Sequence, residues 1–119
     1  PERPSTRYNF AGALLKLGRR QEALALLEEL VELDPEYTRG HVLLARVLVE
    51  GGHPDRAEHH LIRASQVDPD FERVHEALGN LFIESGRHEE ALVSYRQALQ
   101  LVPGSARARS RRRNSSRKS

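Results

Sequence analysis

The strongest constraint on the fold of this chain is a period of 34 residues in the positions of its prolines, glycines and alanines. The prolines are Pro1, Pro35, Pro69 and Pro103, the glycines Gly18, Gly52 and Gly86, and the alanines Ala23, Ala57 and Ala91. Three residue types that share one spacing indicate tandem copies of a single supersecondary unit.

The recurring residues predict a helical hairpin in each period. Proline cannot continue a helix but suits the start of one, so it separates consecutive helices. Each glycine follows an apolar run and precedes a polar one, where a helix commonly ends in a left-handed residue. We therefore predict first helices at 4–17, 38–51 and 72–85, and second helices at 19–33, 54–67 and 87–101.

The side-chain pattern agrees with an all-α fold. Apolar residues recur at helical spacing, as in Val74, Leu78, Leu81 and Phe82. Small residues recur where the two helices of a pair should cross closely. They are Ala11, Ala45 and Gly79 on the first helices, and Ala23, Ala57 and Ala91 on the second.

These residues resemble the tetratricopeptide-repeat family over residues 4–103. The third period matches the family pattern W-x2-L-G-x2-Y, A-x3-F and P through His75, Leu78, Gly79, Phe82, Ala91, Tyr95 and Pro103. The second matches through Leu44, Ala45, Leu48, Ala57, Leu61, Ala64 and Pro69, and the first through Phe10, Ala11, Leu14, Ala23, Leu27 and Pro35. Arg7, His41 and His75 replace the tryptophan, which predicts one weaker packing contact per repeat.

The resemblance implies one domain, 1–104, in which repeats at about 4–37, 38–71 and 72–104 stack into a right-handed superhelix. Its concave groove would be lined by the first helices and would bind a peptide or partner segment. Carried onto this sequence, the groove residues are Tyr8, Leu15, Arg39, Val42, Arg46, Val49, Arg73, Glu76, Asn80 and Ile83, with Ser5, Gly12, Lys16, Glu50 and Glu84 beside them. Arginines next to aliphatic residues suit a peptide with acidic and aliphatic side chains.

One class of the family grips chaperone C-termini with Lys and Asn at set groove positions. The matching positions here are Tyr8, Gly12, Leu43, Arg73 and Ala77. Only Arg73 is of the required kind, so we expect no binding of chaperone tails.

The C-terminal segment 105–119 is basic and is predicted to be disordered, since it has no apolar face to bury. It holds seven of the 19 Lys and Arg residues, which leaves 12 against 17 acidic residues in 1–104. The seven are Arg107, Arg109, Arg111, Arg112, Arg113, Arg117 and Lys118. They allow an alternative function, association with nucleic acid or an anionic surface, although no aromatic residue is present there for base stacking. A solubilising end or a linker is the plainer interpretation.

The two ends of the repeat array lead to two further expectations. Pro1 coincides with a repeat junction, so we expect this chain to be a segment of a longer array. The last hairpin has no capping helix after it, and terminal repeats need one. Leu92, Tyr95 and Leu99 should therefore remain partly exposed or pair with another copy of the chain.

Nothing in the sequence predicts catalysis, a cofactor or a metal site. Cysteine is absent, and no nucleophile, phosphate-loop or helical His-pair motif occurs. His59 and His60 are adjacent and diverge by about 100° on a helix, so we interpret them, with His53, as solvent-exposed. We expect the chain to be cytoplasmic and to have neither enzymatic activity nor a transmembrane segment. A further alternative is that it is the substrate-recognition region of a larger enzyme.

Overall fold

The structure, a computed structural model, describes residues 3–101. Within that range the chain is all-α, with no strand, and its six helices are α1 (Pro4–Lys16), α2 (Arg20–Leu33), α3 (Thr38–Glu50), α4 (Pro54–Val67), α5 (Glu72–Glu84) and α6 (His88–Leu101). Their ends differ from the predicted ones by at most one residue. The predicted fold class of helix-turn-helix repeats is therefore confirmed. The basic segment 105–119, Pro1 and Pro103 lie outside the described residues.

The chain divides into two compact units. Unit 1 is Pro1–Asp68 and contains α1 to α4, and unit 2 is Pro69–Ser119 and contains α5 and α6. In unit 1, α1 packs against α2, α3 packs against α4, and α2 also packs against α3. In unit 2, α5 packs against α6.

The three hairpin turns use the same backbone motif. Gly18 has φ +78°, its N–H donates to the Leu15 carbonyl at 3.0 Å, and the Arg19 N–H donates to the Leu14 carbonyl at 2.9 Å. This bond pair defines a Schellman helix end, which requires a left-handed residue. The same two bonds and a positive φ recur at Gly52 and Gly86. The glycines recur every 34 residues because each of them ends the first helix of a repeat.

The small residues lie in the interior, as predicted. The five alanines are at most 1% exposed, and Gly79 is also buried. They are Ala11, Ala23, Ala45, Ala57 and Ala91. The largest fully buried side chains around them are aliphatic: Leu27, Leu30, Leu44, Leu48, Leu61, Val47 and Val74. An aliphatic core with small residues at the crossings lets paired helices approach closely.

The residues in the tryptophan position form polar contacts instead of only losing packing. Nε2–H of His41 donates to the Pro35 carbonyl at 2.7 Å, and Nε2–H of His75 donates to the Pro69 carbonyl at 2.8 Å. Each bond ties a first helix to the proline linker before it. In the first repeat, Arg7 pairs with Glu29 of α2. The expectation of a merely weaker contact was therefore incomplete.

The exposure of the apolar residues differs between equivalent positions. Leu44 and Leu78 are buried, but Phe10, which takes the same place in the first repeat, is 57% exposed. Helix α3 has α2 as a preceding neighbour, whereas no helix precedes α1 among residues 3–101. In α6, Leu92 and Leu99 are exposed as expected.

Candidate functional site on helices α1 and α3

The most distinctive surface of unit 1 is one side of α3. Arg39, Val42, Arg46 and Val49 are spaced by three or four residues, so they share one side of the helix. The two valines are half-buried and the two arginines are exposed. Neither arginine forms an ion pair within the part of the chain that the structure describes. This side therefore combines an apolar strip with two guanidinium groups open to an added carboxylate.

The remaining side chains of α3 explain why this side is turned outward. Leu44, Val47 and Leu48 are at most 1% exposed and hold the opposite side in the core. The one acidic residue of α3, Glu50, pairs with Arg20 of α2 at 3.5 Å. Its carboxylate is therefore engaged with α2 rather than with Arg46.

Helix α1 adds an aromatic contact with the start of α3 and an uncrowded position at Gly12. The Tyr8 ring meets the Tyr37 ring edge to face, with ring centroids 6.0 Å apart. Tyr37 is the N-cap residue of α3, so this contact links α1 to the start of α3. Between Tyr8 and Leu15, which share one side of α1, a Cβ placed on Gly12 would meet nothing within 4 Å. The α1/α3 face, defined as Tyr8, Gly12, Leu15, Arg39, Val42, Arg46 and Val49, is thus open above Gly12.

Tyr37 was not found by sequence reasoning, although a signal existed. Aromatic residues share the 34-residue period at Tyr37 and Phe71, and Phe71 is likewise the N-cap residue of α5. Burial raises the pKa of Tyr37, and the charge of Arg39 opposes that rise. The phenol therefore stays neutral at physiological pH and can donate a hydrogen bond beside Arg39.

The predicted groove residues of unit 2 lie on α5 and carry mixed charge. Arg73 is exposed and is 3.9 Å from the Glu72 carboxylate. Asn80 accepts a hydrogen bond from the Tyr95 hydroxyl, and Ile83 is 45% exposed. Glu76 is exposed. Both units therefore present predicted groove residues at their surfaces, while one continuous groove stays a prediction.

The histidines are only partly where the sequence placed them. His53 and His59 are exposed as expected, but His60 is half-buried, and its Nδ1 lies 3.3 Å from Nδ1 of buried His41. The interpretation of His60 as a solvated residue was wrong because sequence spacing could not show that α4 faces His41. In residues 3–101 no three metal-capable side chains come together. Nor does any helix in that range have the length and apolarity needed to cross a membrane.

Solved structures with this architecture are numerous, and they show the fold. MamA matches with a TM-score of 0.74 and 22% identity, over 82% of this chain and 57% of its own. The Yersinia enterocolitica type III secretion translocator chaperone SycD matches with a TM-score of 0.79 and 19% identity, over 87% of this chain and 78% of its own. The second TPR of Spaghetti (RPAP3), bound to an HSP90 peptide, matches with a TM-score of 0.78 and 15% identity, over 85% of this chain and 94% of its own.

The sequence comparisons identify the family. The TPR repeat-containing thioredoxin TTL4 of Arabidopsis thaliana is 39% identical over 66 residues, which are 56% of this chain but only 10% of that protein. A family model described as tetratricopeptide repeat matches residues 14–81, and one described as TPR repeat matches 79–112. Such repeats are non-catalytic scaffolds whose extended surfaces bind other proteins. With the first of these models covering more than half of its length, the chain belongs to the tetratricopeptide-repeat family.

Proposed function

We propose that the α1/α3 face of unit 1 binds a peptide segment of a partner protein that carries acidic and aliphatic side chains. The observation that carries the proposal is the exposure of Arg39 and Arg46, without carboxylate partners in residues 3–101, beside half-buried Val42 and Val49. Guanidinium groups form strong, directional bonds with carboxylates. The valine strip offers a partly preformed apolar surface for the aliphatic side chains.

The open space at Gly12 supports a peptide rather than a small ion as the ligand. Tyr8 and Leu15 lie about one turn to either side of Gly12 on α1, and both are half-buried. Anchoring by a few side chains in shallow recesses is how helical grooves select peptides.

Two structural neighbours support a peptide as the class of ligand. The RPAP3 domain was solved with an HSP90 peptide, and YrrB is described as a TPR protein with an unusual peptide-binding site. YrrB matches this chain with a TM-score of 0.76 and 23% identity, over 87% of this chain and 54% of its own. Of the five positions that match the chaperone-tail clamp, only Arg73 is of the required kind, so the proposed ligand is a different acidic peptide.

The proposal is tested by selecting ligands from a phage-displayed library of random 12-residue peptides. Selected peptides should be enriched in Asp or Glu together with Leu, Ile or Val. Fluorescence anisotropy of one labelled selected peptide then compares the unaltered protein with Arg39→Glu/Arg46→Glu. We expect at least a tenfold weaker affinity for the double variant, because two charge-assisted contacts become repulsive.

Arg96→Glu is the control for an arginine-to-glutamate charge reversal outside the α1/α3 face, and Arg39→Glu and Arg46→Glu are also measured singly so that each change is compared with it at equal net charge. Arg96 is exposed on the second helix of its hairpin, so reversing its charge leaves the α1/α3 face unaltered. It should bind the peptide as the unaltered protein does. If the double variant also binds unchanged, Arg39 and Arg46 are ordinary solvated arginines and the assignment of this face is wrong.

The alternative functions rest on sequence alone. Association with nucleic acid or an anionic surface would depend on the basic segment 105–119, which lies outside the described residues. A role as the recognition region of a larger enzyme would depend on parts of a parent protein beyond this chain. Deleting 105–119 and titrating salt in a DNA, RNA or anionic-vesicle assay separates the first alternative from peptide binding.

A further inference from the structure

Helices α3 and α4 are joined by a contact between two imidazoles. His41 of α3 is 3% exposed, and its Nδ1 lies 3.3 Å from Nδ1 of half-buried His60 on α4. The ring centroids are 5.5 Å apart and the planes are inclined by 32°. The other nitrogen of His41, Nε2, is 2.7 Å from the Pro35 carbonyl. His41 is therefore contacted at both ring nitrogens.

The carbonyl contact fixes the protonation of both rings. A carbonyl oxygen can only accept, so Nε2 of His41 must carry a proton. In neutral His41 the Nδ1 atom is then a bare acceptor, and His60 must supply the proton between the rings from its own Nδ1. One proton between the two Nδ1 atoms is enough for the hydrogen bond, but once both imidazoles are cationic each Nδ1 carries a proton and the two N–H groups oppose each other.

The charged groups acting on the pair offer no compensation for an added proton. His59, Arg56 and Arg63, all on α4, act on His60, and His59 and Arg63 also act on His41. From α2, the carboxylate of Glu28 is 2.6 Å from Arg56 and so is already paired with a cation. From the linker before α3, the Pro35 carbonyl favours the proton that His41 already carries. A cationic imidazole here would be partly desolvated among like charges.

We infer that the His41–His60 pair makes the packing of α3 against α4 acid-sensitive, so that unit 1 loses stability as the pH falls below neutrality. The device lies inside the second repeat and does not depend on whether the α1/α3 face binds a peptide. The first added proton places a charge in a partly desolvated site beside Arg56 and Arg63, and a second would leave two N–H groups facing each other across the α3–α4 contact.

The pKa directions agree with this geometry. Burial lowers the pKa of His41, and burial together with the neighbouring His41 lowers the pKa of His60 to about 4. In the unfolded chain both imidazoles take up protons at about pH 6.5. Between pH 6.5 and about 4 the unfolded state therefore binds more protons than the folded state, and stability falls with pH across that window. Above it the full stability is present.

The third repeat supplies an internal comparison. His75 makes the same carbonyl bond as His41, but the counterpart of His60, one period later, is buried Ser94. A serine at position 60 is thus compatible with this hairpin architecture. His60→Ser is the variant that removes the second imidazole with the least disturbance.

The experiment compares melting temperatures of the full chain at pH 7.5 and pH 5.0 by circular dichroism. The unaltered protein should melt at a temperature lower by roughly 5 °C at pH 5.0. Carboxylates contribute little, because ordinary carboxyl pKa values lie near 4, below that interval. His60→Ser should lose at least half of this drop, and His53→Ser, which removes an exposed histidine that does not contact the pair, should keep it.

An NMR titration of the unaltered protein decides the matter even if His60→Ser does not fold. The His60 imidazole should remain neutral at pH 5.5. Titration of both His41 and His60 at the ordinary histidine pKa, or an unchanged drop in melting temperature for folded His60→Ser, would overturn the inference.

Discussion

The ring of Tyr95 occupies the space that Gly79 leaves by having no side chain. A Cβ built on Gly79 would lie 2.7 Å from Cε1 and 2.8 Å from Cδ1 of Tyr95, closer than such atoms approach in proteins. The Tyr95 hydroxyl donates to Oδ1 of Asn80 and holds the ring over α5. The glycine and the tyrosine are therefore complementary in size.

The first prediction follows from this complementarity. Gly79→Ala should destabilise the protein by roughly 1–3 kcal/mol, because the ring must move off its position to admit a methyl group. In a Tyr95→Leu background the same change should be neutral, or stabilising by up to about 1 kcal/mol, because alanine is the better helix former. Urea unfolding of the two single variants and the double variant measures the coupling.

The other two repeats indicate that the double variant should fold. One period earlier the pair is Ala45 with Leu61, and two periods earlier it is Ala11 with Leu27, all buried. Gly79→Ala/Tyr95→Leu thus gives the third repeat the alanine–leucine pair that the first two repeats have. If Gly79→Ala destabilises the unaltered protein and the Tyr95→Leu variant equally, the two positions are not in direct contact.

A second prediction distinguishes the cost of backbone strain at a glycine from the cost of crowding by an added methyl group. Gly12 lies inside α1 and Gly18 lies just after its C-terminal end. A Cβ on either glycine would meet nothing within 4 Å. Gly18 has φ +78°, whereas Gly12 lies inside α1. Gly18→Ala should therefore cost about 1–2 kcal/mol, while Gly12→Ala should stabilise by about 0.5–1 kcal/mol.

Thermal or urea unfolding of these two variants gives the comparison directly. The expected result is a change of opposite sign for the same added methyl group. A loss of stability in Gly12→Ala would show that the space beside α1 is closed in solution. That outcome would also remove the recess proposed for a peptide side chain.

The helices could be predicted from the sequence because residues close to each helix end determine where the helix begins or ends. Proline spacing and the glycines at Gly18, Gly52 and Gly86 act within one or two turns, so their effect can be read without the fold. The buried alanines followed from the same register. Phe10 did not, because the family pattern gives a position in the repeat and not the neighbour that must cover it.

The side-chain contacts between different helices could not be predicted, because they depend on how the helices pack. His60 was judged by its neighbour His59, whereas its partner is His41, 19 residues away on another helix. The Tyr8–Tyr37 contact and the Arg20–Glu50 pair likewise join different helices. Periodicity gives the side of a helix on which a residue lies, and packing decides what it meets.

A third prediction concerns the buried alanine of α4 in the second repeat. Ala57 is 0% exposed on α4, where α4 packs against α3. Ala57→Leu should overpack this crossing and destabilise the protein by roughly 1–3 kcal/mol. Ile62→Leu, on the same helix and 40% exposed, is the control and should change stability by less than about 0.5 kcal/mol. An equal effect of the two substitutions in urea unfolding would argue against a close crossing at Ala57.

The last prediction compares two arginines that hold equivalent positions. Arg19 and Arg87 each make two hydrogen bonds to the glutamate three residues later, Glu22 and Glu90 respectively. Arg87 also lies over the ring of Phe82, with its guanidinium carbon 4.5 Å from the ring centroid. Exposed ion pairs contribute little, whereas a cation over an aromatic face adds about 0.5–1 kcal/mol.

Arg87→Gln should therefore destabilise the protein by more than Arg19→Gln. The excess should persist at 1 M NaCl, because salt screens the exposed pairs more strongly than the contact with the ring. In a Phe82→Leu background, which restores the leucine found at Leu14 and Leu48, the excess should vanish. Urea unfolding of the four variants at low and high salt measures this. An excess that survives Phe82→Leu would assign the effect to the helix end at Gly86 instead of to the ring.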